Sequence, residues 1–110
     1  MMLRSVFRAM AKQFQPERSG GFRGDIQYEL TGRRGAQAWL VRVDDGTATS
    51  GPGRSPKPTL VIRTDVPTFA RMIIQEVPAA RAWFEGKIAI DGHFQLAARL
   101  GEMFGQSSPW

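Results

Sequence analysis

The chain has 110 residues, of which 42% are hydrophobic and 23% charged, ordinary usage for one globular domain with one modest core, which excludes a disordered, collagen-like or two-domain chain. No apolar run approaches the roughly 20 residues that a membrane helix needs; with no cysteine at all, disulfides, thiolate metal sites and cysteine nucleophiles drop out, and a cytoplasmic location is expected. The net charge of +5 is uneven: residues 1–34 hold seven basic and three acidic side chains and residues 65–110 hold four and five, so the basic character belongs to the N-terminal third.

Leu3, Val6, Phe7, Met10 and Phe14 recur at helical spacing, while Arg4, Arg8 and Lys12 step along another face. This predicts an amphipathic helix over 3–15, ended by Pro16 and followed by a Ser19-Gly20-Gly21 joint. Such a stripe packs as the first helix of a domain. Its acid-free polar side also makes Arg4, Arg8 and Lys12 candidates for docking on an anionic membrane surface.

From Asp25 the period becomes two. Ile26, Tyr28 and Leu30 alternate with Gln27 and Glu29, and after the turn at 31–35, Trp39, Val41 and Val43 alternate with Leu40 and Arg42, which reads as a hairpin. Asp45-Gly46 supplies the next tight turn, with Thr47-Ala48-Thr49 returning as a short strand. Residues 51–58 read as a loop, without the Gly-Lys-Ser/Thr ending of a phosphate-binding loop.

Thr59 to Thr64 is a further strand, and Asp65 offers a helix N-cap with Pro67 in the first turn. The helix that follows carries Phe69, Met72, Ile73 and Ile74, is interrupted at Val77-Pro78, and resumes from Ala79 to Phe84 before Gly86. Lys87 to Gly92 is the last strand. From His93 to Phe104 the chain is helical again, with Phe94, Leu96, Ala97, Leu100, Met103 and Phe104 making an apolar face wider than one sheet contact needs. That width predicts a lid, half-exposed at Leu100, Met103 and Phe104. Residues 105–110 are expected to be a tail.

Three groups of residues then bear a resemblance: 25–32 (DIQYELTG), Trp39-x-Val41-x-Val43-x-Asp45-Gly46, and Ala82-Trp83-Phe84-x-Gly86-Lys87-Ile88-x-Ile90-x-Gly92 followed by Leu96-Ala97-x-x-Leu100-x-x-x-Phe104. In order and spacing they resemble the sterol carrier protein two family, most strongly over 22–104 within a single domain of residues 1–104. The resemblance implies an α+β fold: a five-stranded, mostly antiparallel sheet covered on one face by helices, with an apolar tunnel between the layers. It implies a carrier that binds a sterol, fatty acyl chain or other lipid; no catalysis, cofactor or metal is expected of it, and transient contact with an anionic membrane through its basic face and presentation of the ligand to a partner enzyme are separate expectations. The residues expected to line the tunnel are Trp39, Phe69, Met72, Ile73, Trp83, Phe84, Leu96, Leu100, Met103 and Phe104.

Two other classes remain as alternatives. A cofactor-free enzyme, or an accessory subunit acting on a hydrophobic substrate, would use Asp91 beside His93, the only histidine. Residues just after a strand more often cap the next helix, and Asp44-Asp45 more often makes a turn. A basic nucleic-acid module would use Arg18, Arg23, Arg33, Arg34 and Arg42 with Phe22, Tyr28 and Trp39. Alternation argues against it, since Tyr28 and Trp39 fall in phase with aliphatic neighbours and point inward.

Overall fold

The period-two stretches all become strands in the computed structural model, which describes residues 3–74, 76–77 and 79–104, the side chains of 79, 80, 94 and 98 apart. They are β1 (Gly24–Gly32), β2 (Gly35–Asp44), β3 (Thr47–Pro52), β4 (Leu60–Asp65) and β5 (Ile88–Gly92), in one sheet of order β3-β2-β1-β4-β5. β1 and β4 run parallel; every other pair is antiparallel. The helices are α1 (Leu3–Lys12), α2 (Val66–Ile73), α3 (Ala79–Phe84) and α4 (Phe94–Met103), with a 3-10 turn at Pro16–Arg18. The expected α+β class and mostly antiparallel sheet are therefore observed. The expected tail lies outside the described residues, as does Pro78.

Local chemistry explains the boundaries. Asp45 (φ 51) and Gly46 (φ 74) both take positive φ, the requirement of the primed turn that joins β2 to β3. α1 stops at Lys12, short of the expected residue 15. A residue before proline is driven out of the helical region, and Gln15 is extended at φ −115, ψ 96. Its N–H donates instead to the Met103 carbonyl at 2.7 Å, tying the end of α1 to the end of α4. Asp65 caps α2 by accepting from the Thr68 N–H at 2.6 Å. α3 closes through Gly86 (φ 74), with the Lys87 N–H reaching back to the Ala82 carbonyl at 2.8 Å.

The two faces of the sheet differ. On the inner face Ile26, Tyr28 and Leu30 of β1, Trp39, Val41 and Val43 of β2, and Leu60 and Ile62 of β4 are buried in one core with residues of α1, α2 and α4. On the outer face Asp25, Gln27 and Glu29 meet the loop after β3. The Ser55 N–H donates to Gln27 Oε1 at 2.9 Å and its hydroxyl to Asp25 Oδ2 at 2.6 Å. Arg42 Nε donates to Asp25 Oδ1 at 2.9 Å, and Arg63 pairs with Asp91.

Candidate functional site

The layer between the inner face and the helices is the candidate site, and Phe7 stands at its centre. The Phe7 ring, 0% exposed, stacks on Trp39 at 5.3 Å and on Phe69 at 5.2 Å between centroids, and meets Tyr28 at 5.1 Å. Four elements build this cluster. Tyr28 and Trp39 are directly paired across β1 and β2; Phe69 comes from α2 and also meets Tyr28 at 5.8 Å; α1 lowers Phe7 between them. Such ring pairs add about 0.5–1.5 kcal/mol each beyond the area they bury. Burial raises the Tyr28 pKa far above the ordinary phenol value, because phenolate is poorly solvated there.

The ten expected lining residues divide into three groups. Trp39, Phe69, Leu96, Leu100, Met103 and Phe104 are buried in this core. Met72 and Ile73 are half-buried, and Ile73 packs against it. Trp83 (40% exposed) and Phe84 (82% exposed) stand at the surface, their rings 5.3 Å apart, and Ile74 is 68% exposed.

The half-exposed lid is corrected: Leu100, Met103 and Phe104 are buried. Phe104 meets Phe14 at 5.4 Å. The chain between Phe14 and Pro16 folds onto the end of α4 through the Gln15–Met103 hydrogen bond, covering what the sequence leaves open. Arg4, Arg8 and Lys12 are all exposed, and the Arg4 guanidinium lies 5.7 Å from the Trp39 ring centroid, within cation–π range.

Several residues of the alternative readings have structural duties. His93 caps α4, its Nδ1 accepting from the Leu96 N–H at 3.2 Å, while Asp91 pairs with Arg63 across β4 and β5. Asp44 pairs with Arg23, whose Nε donates to Oδ1 at 2.8 Å. Tyr28 and Trp39, the rings a nucleic-acid surface would need, are buried. Among the described residues, no group of three or more His, Cys, Asp or Glu is placed to hold a metal, and no helix is long and apolar enough to cross a membrane.

Phe7 and Tyr28 are central to the site yet absent from the expected set. The signal for Phe7 is its place midway between Leu3 and Ala11, the narrow stripe that is buried in α1. For Tyr28 it is phase with Ile26 and Leu30.

The sequence profile of the SCP-2 sterol transfer family matches residues 7–105. No curated protein sequence matches the chain significantly. Among solved structures, palmitated SCP2L2 from Aedes aegypti is similar, with TM-score 0.78 and 19% identity over 94% of this chain and 95% of that one. Apo sterol carrier protein 2 from Yarrowia lipolytica has TM-score 0.71 and 18% identity over 96% and 91%. The stereoselective inverting sec-alkylsulfatase Pisa1 from Pseudomonas sp. has TM-score 0.76 and 19% identity over 98% of this chain, which spans only 17% of that enzyme.

Proposed function

The chain belongs to the SCP-2 sterol transfer family, and from that premise we propose that it binds the apolar part of a lipid between the inner face of its sheet and its helices, and carries or presents it without performing chemistry on it. The observation that carries this reading is the family match over residues 7–105, which spans the sheet and the helix layer together. The palmitated state of the Aedes aegypti structure supports a fatty acyl chain as one class of guest.

In this proposal Trp39, Phe69, Met72, Ile73, Leu96, Leu100, Met103 and Phe104 contact the guest at rest, while Trp83 and Phe84 touch it during uptake. Phe7 fills the centre of the layer, so a guest enters by displacing its ring. Aromatic and Met contacts are non-directional, and a Met side chain re-packs readily around a new shape. Burying about 300 Å² of an alkyl chain at about 25 cal/mol/Å² gives roughly 7 kcal/mol gross, and association and ordering costs leave a net affinity of about micromolar. That is weak enough for release.

Arg4, Arg8 and Lys12 dock the domain on anionic membrane, each contributing about 1 kcal/mol near the surface. Reversing the three charges should slow delivery to anionic vesicles at low salt and leave affinity in solution unchanged; equal delivery rates remove the docking role. The carrier reading itself is tested by native mass spectrometry of the purified protein together with displacement of a fluorescent fatty acid. A retained apolar mass and saturable displacement are expected. If several apolar probes show no saturable binding, the reading fails.

A further inference from the structure

At one end of the sheet, the turn after α1, the start of β4 and the first turns of α4 enclose a hollow of about 310 Å³. Its described lining includes His93, Gln95 and Arg99, with Arg23 at the rim, and no carboxylate. Phe22 and Leu96 give it an apolar wall, and both pack with the core. The volume sits at the low end of small-molecule pockets, about 300–1,000 Å³, which suits a head group better than a whole lipid.

The hollow has a fixed floor. Thr59 lines it, its N–H donating to the Asp25 carbonyl at 2.9 Å and its carbonyl accepting from the His93 N–H at 3.0 Å. At Gly24 (φ +154) a Cβ would fall 2.3 Å from the Thr59 hydroxyl, and at Gly92 (φ +100) 2.5 Å from the Thr59 carbonyl. Only glycine permits this close approach of three strand ends.

The cations around it are not equivalent. Arg23 is answered by Asp44. Arg99 has no carboxylate partner among the described residues, and its guanidinium lies across Gly20 (φ +63), where an added Cβ would come within 2.9 Å of Nη2. His93 spends Nδ1 on the cap, which leaves Nε2 as the ring position for a donor. The first turn of α4 contains no acid, so apart from the Leu96 N–H that His93 caps, its partial positive end meets no negative charge within that turn.

We propose that this hollow binds the anionic end of an amphipathic ligand, a carboxylate or phosphate attached to an apolar chain, with Arg99 as its principal contact and Phe22 and Leu96 against the first carbons. The apolar half of this inference rests on the carrier reading; the anionic half is separable from it. The chemistry follows from what converges here: an unanswered guanidinium, an imidazole, a helix N-terminus and an apolar wall. A neutral sterol's hydroxyl can accept a hydrogen bond from these donors but brings no charge to answer the guanidinium.

The test compares decyl phosphate, decanol and inorganic phosphate by titration calorimetry on the whole chain and on Arg99→Gln and Arg99→Lys, with thermal unfolding as the fold control. Arg99→Gln should weaken decyl phosphate about ten-fold, the scale of one charge-assisted hydrogen bond. Arg99→Lys should weaken it less, and decanol should be indifferent to both. Equal affinity of the native chain for decanol and decyl phosphate, or no effect of Arg99→Gln, overturns the anionic site and leaves the carrier reading standing. Inorganic phosphate binding as tightly as decyl phosphate, and lost in Arg99→Gln, overturns the amphipathic ligand in favour of a free anion. If neither decyl compound binds while inorganic phosphate does so through Arg99, the carrier reading is what fails.

Discussion

Gln27 and Tyr28 are neighbours in β1, yet one faces the loop after β3 and the other faces the helices. On Gln27's side the contacts are directional: Ser55 bridges Asp25 and Gln27, Arg42 holds Asp25, and Glu29 accepts from Gln27 Nε2 at 2.7 Å. On Tyr28's side Phe7, Trp39 and Phe69 meet through ring faces and edges. Directional contacts hold at one geometry, whereas dispersion contacts survive rearrangement as long as the volume stays filled. The polar back pins strand register; the carrier role proposed above would ask the apolar front to exchange partners.

The contrast is broken most forcefully at Phe7. Phe7→Ala should cost about 3–5 kcal/mol in urea unfolding, since a fully buried ring leaves a cavity between Trp39 and Phe69. Apolar probe affinity of the folded fraction should hold or rise, because the guest no longer competes with the ring. A loss below about 1 kcal/mol would place the stabilising contacts of the inner face elsewhere.

A smaller effect is expected on the polar side. Partial burial works to raise the Asp25 pKa, but hydrogen bonds from Ser55 and Arg42 and the charge of Arg42 outweigh it and hold the carboxyl below its ordinary value. A depressed folded pKa contributes stability above the unfolded pKa, near about 3.9, and that contribution is lost as pH falls through the folded value. Asp25→Asn should therefore cost about 1–2 kcal/mol at pH 7, discounted because Arg42 is largely exposed, and should lose less than the native chain between pH 5 and pH 2. Superimposable acid unfolding curves would remove the carboxylate from the account of register.

The smallest change in stability belongs to neither face. Phe84→Ser should alter it by no more than about 0.5 kcal/mol, as the ring is already in solvent. Uptake of a fluorescent fatty acid from vesicles should nevertheless slow. Unchanged uptake kinetics would mean that Phe84 meets no guest.

Strand and helix periods, the caps at Asp65 and His93, and the Asp45-Gly46 turn are all legible in the sequence, because each depends on neighbours within a few residues. What is not legible depends on partners far along the chain. Ser55 sits in a loop defined only by composition, yet it straps Asp25 and Gln27. The outward polar alternation of 25, 27 and 29 announces a polar face without naming its partner. Trp83 and Phe84 show the converse: their apolar character suggests an interior place, but periodicity cannot tell which apolar residue the helix turns outward. The site suffers most from this, since Phe7 gains its importance only when β2 and α2 arrive on either side of it.

That arrangement has a consequence for the order in which the domain assembles. β1, β2 and β3 are joined by two tight turns and pair with their sequence neighbours, whereas the parallel pairing of Ile26 with Leu60 must close a long loop first. Local pairings of this kind form early and parallel ones late. Phe7 needs Tyr28 and Trp39 from the meander and Phe69 from beyond the crossover, so its seat is complete only after the slow step. In stopped-flow kinetics Phe7→Ala should thus accelerate unfolding and scarcely change the rate of folding. The ring that holds the finished core most firmly governs how long the fold lasts, and has little say in how fast it forms.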